Sequence, residues 1–114
     1  MNVVGLMSGT SGDGVDAALV DIRGSGLALR VTVLAFAPTP YPADLQRRVL
    51  HLCSGGSVAE VCHLNAVLGE WFARAALRVI KKAGLNPAEV AIIGSHGQTV
   101  QHLPQGIRER GLGS

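Results

Sequence analysis

The sequence predicts an α/β fold, a mixed sheet with flanking helices. Three observations predict it. Apolar runs at residues 3–7 and 15–22 enclose a glycine-rich loop, and an alternating run at 27–37 follows a second glycine turn. A long amphipathic helix follows an S-x-x-E capping box made by Ser57 and Glu60. The chain then returns to strand at residues 90–93, ahead of a polar stretch with two glycines.

Taken in order, residues 2–7 read as a first strand, mostly apolar and so expected to be buried on both faces. Residues 14–22 read as a second, with Asp16 and Asp21 bracketing its apolar centre and Asp21 expected as a solvated strand-end acid. Arg23-Gly24-Ser25-Gly26 reads as a hairpin turn. It leads to a third strand over 27–37, with Leu27, Leu29, Val31 and Val33 on one face and Ala28, Arg30 and Thr32 on the other. Prolines at 38, 40 and 42 break that pattern. Pro42 suits the first turn of a helix, Asp44 its positive end, and Ser54-Gly55-Gly56 its stop after about residue 52. In the long helix Val61, Leu64, Leu68, Trp71, Phe72, Ala75 and Val79 recur at three and four, an apolar stripe that belongs to the core and gives Trp71 no cofactor role. Lys81 and Lys82 lie at its negative end and Gly84 caps it. Asn86 to Glu89 is a turn, and residues 90–93 form a short buried strand that delivers Gly94-Ser95-His96-Gly97-Gln98-Thr99 at its end, where ligands of α/β folds collect. Residues 105–114, polar with three glycines, read as a frayed tail.

Composition narrows the function. A chain of 114 residues supports one domain at most, and 47% hydrophobic with 4% aromatic residues means a core of Ala, Val, Leu and Ile. The net charge of +2 comes from scattered basic residues, with no basic stripe interleaved with aromatics, which argues against nucleic acid as a partner. Cys53 and Cys62 lack a CxxC spacing and read as reduced, buried thiols of a cytoplasmic protein. A metal site from His51, Cys53, Cys62 and His63 is disfavoured, because the neighbours Cys62 and His63 point about 100° apart on a helix. No signal peptide is visible and no apolar stretch reaches the ~20 residues of a membrane span, so a soluble, cytoplasmic chain without a membrane partner is expected.

The chemistry gathers in Gly5-Leu6-Met7-Ser8-Gly9-Thr10-Ser11-Gly12-Asp13-Gly14-Val15-Asp16. Gly9, Gly12 and Gly14 can take positive φ and let amides converge on an anion. Ser8, Thr10 and Ser11 add hydroxyl donors. Asp13 repels a phosphate, yet suits the hydrated Mg²⁺ that bridges to one. The stretch therefore reads as a nucleotide-phosphate grip, against the plainer alternative of a glycine-rich hairpin with a polar loop. No Gly-Lys-Ser/Thr follows the glycines, so it is not a P-loop, and the spacing and following strand do not fit a dinucleotide fingerprint. Ser95, His96, Gln98 and Thr99, flanked by glycines, suit the hydroxyls of a sugar, against a loop whose polar groups satisfy one another. A hydrolase triad of Ser11, His96 and Asp13 lacks a G-x-S-x-G elbow, and its acid lies two residues from its nucleophile.

The order of residues adds a resemblance. The block from Gly5 to Ser11 followed by Asp13-Gly14-Val15-Asp16-Ala17-Ala18-Leu19-Val20-Asp21 resembles the N-terminal signature of anhydro-N-acetylmuramic acid kinases, and Ile93-Gly94-Ser95-His96-Gly97-Gln98-Thr99-Val100-Gln101-His102-Leu103-Pro104 resembles a second block of that family. Two matched blocks make the resemblance specific over roughly residues 3–104. Gly12 stands where the family usually has a larger apolar residue and Leu103 where it has an arginine, and residues 105–114 do not continue the pattern. The resemblance implies an actin-like (ribonuclease H-like) ATPase lobe, its N-terminal part, over residues 1–104. It implies ATP bound by Gly9, Thr10, Ser11, Gly12, Asp13, Gly14, Val15 and Asp16, with Mg²⁺ held indirectly by Asp13. The substrate it implies is an anhydro-amino-sugar contacted by Ser95, His96, Gln98 and Thr99, phosphorylated with opening of the anhydro ring during cell-wall recycling. It admits a homodimer of the full-length protein. Family chains are several times longer, and no residue here qualifies as the catalytic base, which is expected in a later segment. The alternative is a non-catalytic remnant of such a lobe that binds a nucleotide or a partner.

Overall fold

The structure, a computed structural model, describes residues 1–9, 11–98 and 100. Four strands form one sheet: β1 (Asn2–Ser8), β2 (Gly14–Arg23), β3 (Arg30–Pro40) and β4 (Ile92–Gln98), in the order β3-β2-β1-β4. β1 and β2 pair antiparallel, as do β2 and β3, while β4 returns parallel to β1, so the sheet is mixed. The connection to β4 carries α1 (Ala43–Cys53) and α2 (Val58–Lys82).

Strand alternation sets the layers. Val4 and Leu6 of β1, Val15, Ala17 and Leu19 of β2, and Ala37 of β3 form one core with Leu45 and Val49 of α1 and Leu64, Ala75, Ala76, Val79 and Ile80 of α2. Both helices therefore lie on one face of the sheet. β1 is buried on that face alone, with Gly5 and Met7 exposed between its buried residues, which corrects the expectation of burial on both faces. Truncating a fully buried residue such as Leu19 to alanine costs about 2–5 kcal/mol.

The β3 boundary and face also differ from the expectation. Gly26–Ala28 winds into a 3-10 turn, so Leu27 lies outside the strand, and β3 begins at Arg30. It then runs through Pro38 and Pro40, paired with Asp16 and Gly14. Proline is tolerated here because β3 is an edge strand, where one row of backbone donors has no ladder partner to lose. The register shifts between Leu19↔Ala35 and Val20↔Val33, so Leu34 is an inserted residue. The bulge puts Val31 and Val33 on the face away from the helices, 57% and 64% exposed, while Ala37 and Thr39 face the core.

The helices match their local signals. Pro42 caps α1 and Asp44 sits in its first turn. Ser57 Oγ accepts from Glu60 N (3.1 Å) and the Glu60 carboxylate accepts from Ser57 N (3.2 Å), so the capping box is closed. Lys81 and Lys82 lie in the last turn of α2, and Gly84 takes φ +74°, the left-handed conformation of a C-terminal cap. Lys82 Nζ also donates to Phe36 O (2.7 Å), tying that helix end to β3. Of the expected stripe, Val61 is exposed, and Ala76 and Ile80 join the buried set. Cys53 and Cys62 are free and exposed, not buried as expected, because both lie on helix faces turned away from the core. Asp21 is not simply solvated: its carboxylate accepts from the Met1 ammonium (3.1 Å) and from Arg23 Nε (2.8 Å).

β4 extends further than residues 90–93. Asn2 Nδ2 donates to Glu89 O (3.1 Å) and Ala91 N to Asn2 O (2.9 Å), fixing its entry, and pairing with β1 carries the strand through Ser95 and His96 to Gln98. The expected loop at the strand end is thus largely part of the sheet, because an existing strand edge overrides the weak strand preference of the glycines. The proposed tail, residues 105–114, lies outside the described residues. Among the described residues no helix is long and apolar enough to cross a membrane.

Candidate functional site

The antiparallel β1–β2 pair turns through Gly9, Ser11, Gly12 and Asp13. Gly12 N donates to Gly9 O (3.2 Å), closing the turn, and Gly12 takes φ +59°. It is buried against α1: a Cβ there would meet Val49 Cγ1 at 3.0 Å. The positive φ favours glycine, and any side chain there would press on the Val49 methyl. Gly14 has a different reason, since a Cβ would lie 2.6 Å from Thr39 O and 2.8 Å from Pro40 Cα. Ser11 and Asp13 project outward, with Ser11 Oγ donating to Asp13 Oδ1 (2.9 Å). That contact joins serine directly to the acid, so the serine–histidine–acid order of a hydrolase triad is not built.

The remaining expected residues divide. Val15 is fully buried in the core, leaving its backbone alone to face a ligand, and Asp16 is exposed on β2, opposite Met7 and Pro38. Thr10 and Thr99 lie outside the described residues. Ser95 is exposed, and its Oγ accepts from Gly97 N (3.1 Å). His96 is exposed on β4. Gln98 points to the loop: its Nε2 donates to Gly9 O (2.8 Å). Beside it runs a mostly apolar groove of about 380 Å³, lined by Leu64, Leu68 and Phe72 of α2 and, on the sheet side, by Ser95, Gly97 and Gln98.

Sequence reasoning missed the base of the loop. Ser8, read as a donor toward ligand, is buried instead, with Oγ 2.5 Å from both Gly14 O and Gln98 Oε1; its single proton serves one of them at a time. Tyr41 sits beneath it, buried, with its hydroxyl 3.1 Å from Gln98 Oε1 and its backbone N donating to Asp13 O (2.9 Å). Its ring stands edge-on to Trp71 at 6.1 Å, and Arg74 covers the Trp71 face. Burial pushes the Tyr41 phenol up; a hydrogen bond with Ser8 works against that, and the Asp13 charge adds to it.

Among the described residues no group of three His, Cys, Asp or Glu is placed to hold a metal ion. The His51–Cys53–Cys62–His63 set therefore does not assemble. Asp13 presents an exposed carboxylate at this turn, with Ser11 Oγ on its Oδ1.

A four-stranded mixed sheet whose first hairpin carries such a loop, backed by crossover helices, is an α/β architecture consistent with the N-terminal lobe of an actin-like sugar kinase. The family model described as anhydro-N-acetylmuramic acid kinase matches residues 1–112. Proteins of that name are similar over most of the chain: one from Caldanaerobacter subterraneus subsp. tengcongensis is 50% identical over 111 residues, 96% of this chain and 28% of its own. One from Gloeobacter violaceus is 52% identical over 103 residues, 89% of this chain and 27% of its own, and one from Bacillus cereus (strain ATCC 10987 / NRS 248) is 41% identical over 107, 92% and 28%. The chain belongs to the anhydro-N-acetylmuramic acid kinase family. It spans little more than a quarter of the length of these curated relatives.

Proposed function

We propose that this chain is the nucleotide-gripping part of a cytoplasmic, ATP-dependent kinase that phosphorylates 1,6-anhydro-N-acetylmuramic acid, opening the anhydro ring, in peptidoglycan recycling. The observation that carries the reading is the clamped turn at Gly9, Gly12 and Asp13 within a family match over residues 1–112. In it, the loop amides and the Ser11 hydroxyl hold the ATP phosphates, and Asp13 holds Mg²⁺ through water. Such a reaction is mostly positioning and charge stabilisation, and Mg²⁺ supplies neutralisation of the transferring phosphoryl group. Ser95 and the groove beside β4 offer hydroxyl contacts and an apolar wall to an amino sugar. The carboxylate that activates the attacking water or hydroxyl is assigned to polypeptide beyond this segment, as is dimer formation.

A second reading follows from the chain spanning about 28% of its relatives: a non-catalytic lobe that binds nucleotide or a partner. Calorimetric titration of the 114-residue chain with MgATP, paired with an assay of ADP release with and without anhydro-sugar, tests both. The expected result is weak nucleotide binding without turnover. Sugar-dependent ATP consumption by this chain alone contradicts the assignment of the base elsewhere, and no binding of MgATP at all removes the grip.

A further inference from the structure

The loop is held at both ends from one cluster, in which Ser8 and Tyr41 are buried and Gln98 half-buried. Gln98 Nε2 donates to Gly9 O (2.8 Å), where the loop leaves β1. Tyr41 N donates to Asp13 O (2.9 Å) and Ser8 Oγ contacts Gly14 O, where the loop enters β2. The cluster is joined to itself, because the Tyr41 hydroxyl donates to Gln98 Oε1 (3.1 Å), which Ser8 Oγ also approaches. Its anchors are stiff: Tyr41 is wedged against Trp71 of α2, and Gln98 stands where the β1–β4 register shifts from Leu6↔Ser95 to Ser8↔Gln98. Gly97, at φ +82°, absorbs the extra residue and puts Gln98 opposite Ser8.

We propose that Gln98 and Tyr41 are positioning residues that set the Gly9-to-Asp13 turn for nucleotide, with Gln98 a strut between β4 and the loop. Gln98 thereby couples the strand carrying Ser95 and His96 to the phosphate grip. The physical basis is preorganisation: loop amides fixed before the anion arrives lose no ordering free energy on binding. This rests on the reading of the loop as the ATP grip.

The test is made in the native protein as its gene encodes it, with Gln98→Met, Tyr41→Phe and the double variant. Gln98→Met keeps the side-chain length and removes every bond to the loop, whereas Tyr41→Phe keeps the ring against Trp71 and the backbone bond to Asp13. The expected result for Gln98→Met is a rise of about tenfold in KM and Kd for MgATP, with KM for the sugar unchanged. Tyr41→Phe shows a smaller rise, and the double variant less than the product of the two, because the residues act through one network. A merely structural role lowers the folded fraction and the melting temperature while leaving KM for ATP unmoved, and that outcome overturns the proposal. So does a rise in KM for the sugar alone, which makes Gln98 a direct sugar contact. Calorimetry without sugar separates the two readings. A wild type that binds MgATP without turnover sinks the kinase and leaves the strut standing if Gln98→Met binds less tightly; a wild type that binds none overturns both.

Discussion

Asp13 faces solvent with one carboxylate oxygen holding Ser11 Oγ at 2.9 Å, and its backbone carbonyl is fixed by Tyr41 N. Asp13→Asn preserves both contacts, because the amide keeps an acceptor oxygen, and removes the charge. In the native protein this variant is expected to keep its melting temperature and lose about 10- to 100-fold in activity, the usual cost of losing a group that acts on a metal through its shell. Unchanged activity across a magnesium titration takes Asp13 out of the site. Two other carboxylates contribute to stability toward acid. Arg23, then the Met1 ammonium, holds Asp21 below its ordinary value of 3.8, and the Ser57 N–H, then the Ser57 hydroxyl, holds Glu60 below 4.5. Both favour the charged form in the folded state, so their stabilisation is complete above those ordinary values and is lost as pH falls through the depressed folded ones. A melting-temperature profile is expected to drop below about pH 4.5, and Asp21→Asn with Glu60→Gln should flatten that drop. An equally steep drop in the double variant assigns acid lability to other groups. Tyr41 works in the opposite direction, since its raised value costs stability only as pH rises above 10.0.

The β2–β3 seam shows what an element demands that its own residues do not announce. Gly14 pairs with Pro40 so closely that an added Cβ meets backbone at 2.6 and 2.8 Å, and neither strand can yield without breaking register. Gly14→Ala is therefore expected to destabilise the fold by about 1–3 kcal/mol, read by denaturant unfolding; a neutral result means the two strands part there without loss of register. One residue along, Thr39 is buried with its Oγ1 lacking a hydrogen-bond partner among the described residues. Thr39→Val replaces that hydroxyl with a methyl of like shape and is expected to stabilise by about 1 kcal/mol in denaturant unfolding; a fall in nucleotide binding alongside that gain assigns the hydroxyl to a ligand, and a loss of stability means the hydroxyl has a partner. These features mark the limit of sequence reading. The long helix α2 was legible because its signals are local, a capping box at Ser57 and Glu60 and a stripe at helical spacing. The face of β3 was not, because the inserted residue Leu34 is defined by pairing with β2. The length of β4 was not, because its pairing partner lies some ninety residues earlier. The loop was legible from the order of its glycines, hydroxyls and acid, whereas Tyr41 carries no local pattern, its polar partners Ser8 and Gln98 being 33 and 57 residues away.

At the scale of the whole molecule, the layers formed by the described residues are incomplete. Helices cover one face of the sheet, and the other presents Val31, Val33 and Phe36 of β3, Met7 of β1 and Ile92 of β4, each at least half exposed. Monomeric proteins rarely leave contiguous apolar surface of that kind in water, since every 100 Å² of it removed from solvent is worth about 2.5 kcal/mol. Close to three quarters of the polypeptide of the curated relatives lies outside the matched segment. The 114-residue chain studied by itself is therefore expected to self-associate, with a sedimentation coefficient that rises with concentration. Val33→Lys with Phe36→Lys is the discriminating variant. Both positions are 50% or more exposed, so lysine there leaves the core intact, and β3 is an edge strand, where charge opposes pairing with a second chain. The variant should sediment as a monomer with an unchanged circular dichroism spectrum. If the wild type is already monomeric at high micromolar concentration, the open face carries no association tendency of its own. If both associate alike, the contact lies elsewhere, and the outer edge of β4 becomes the surface to substitute next.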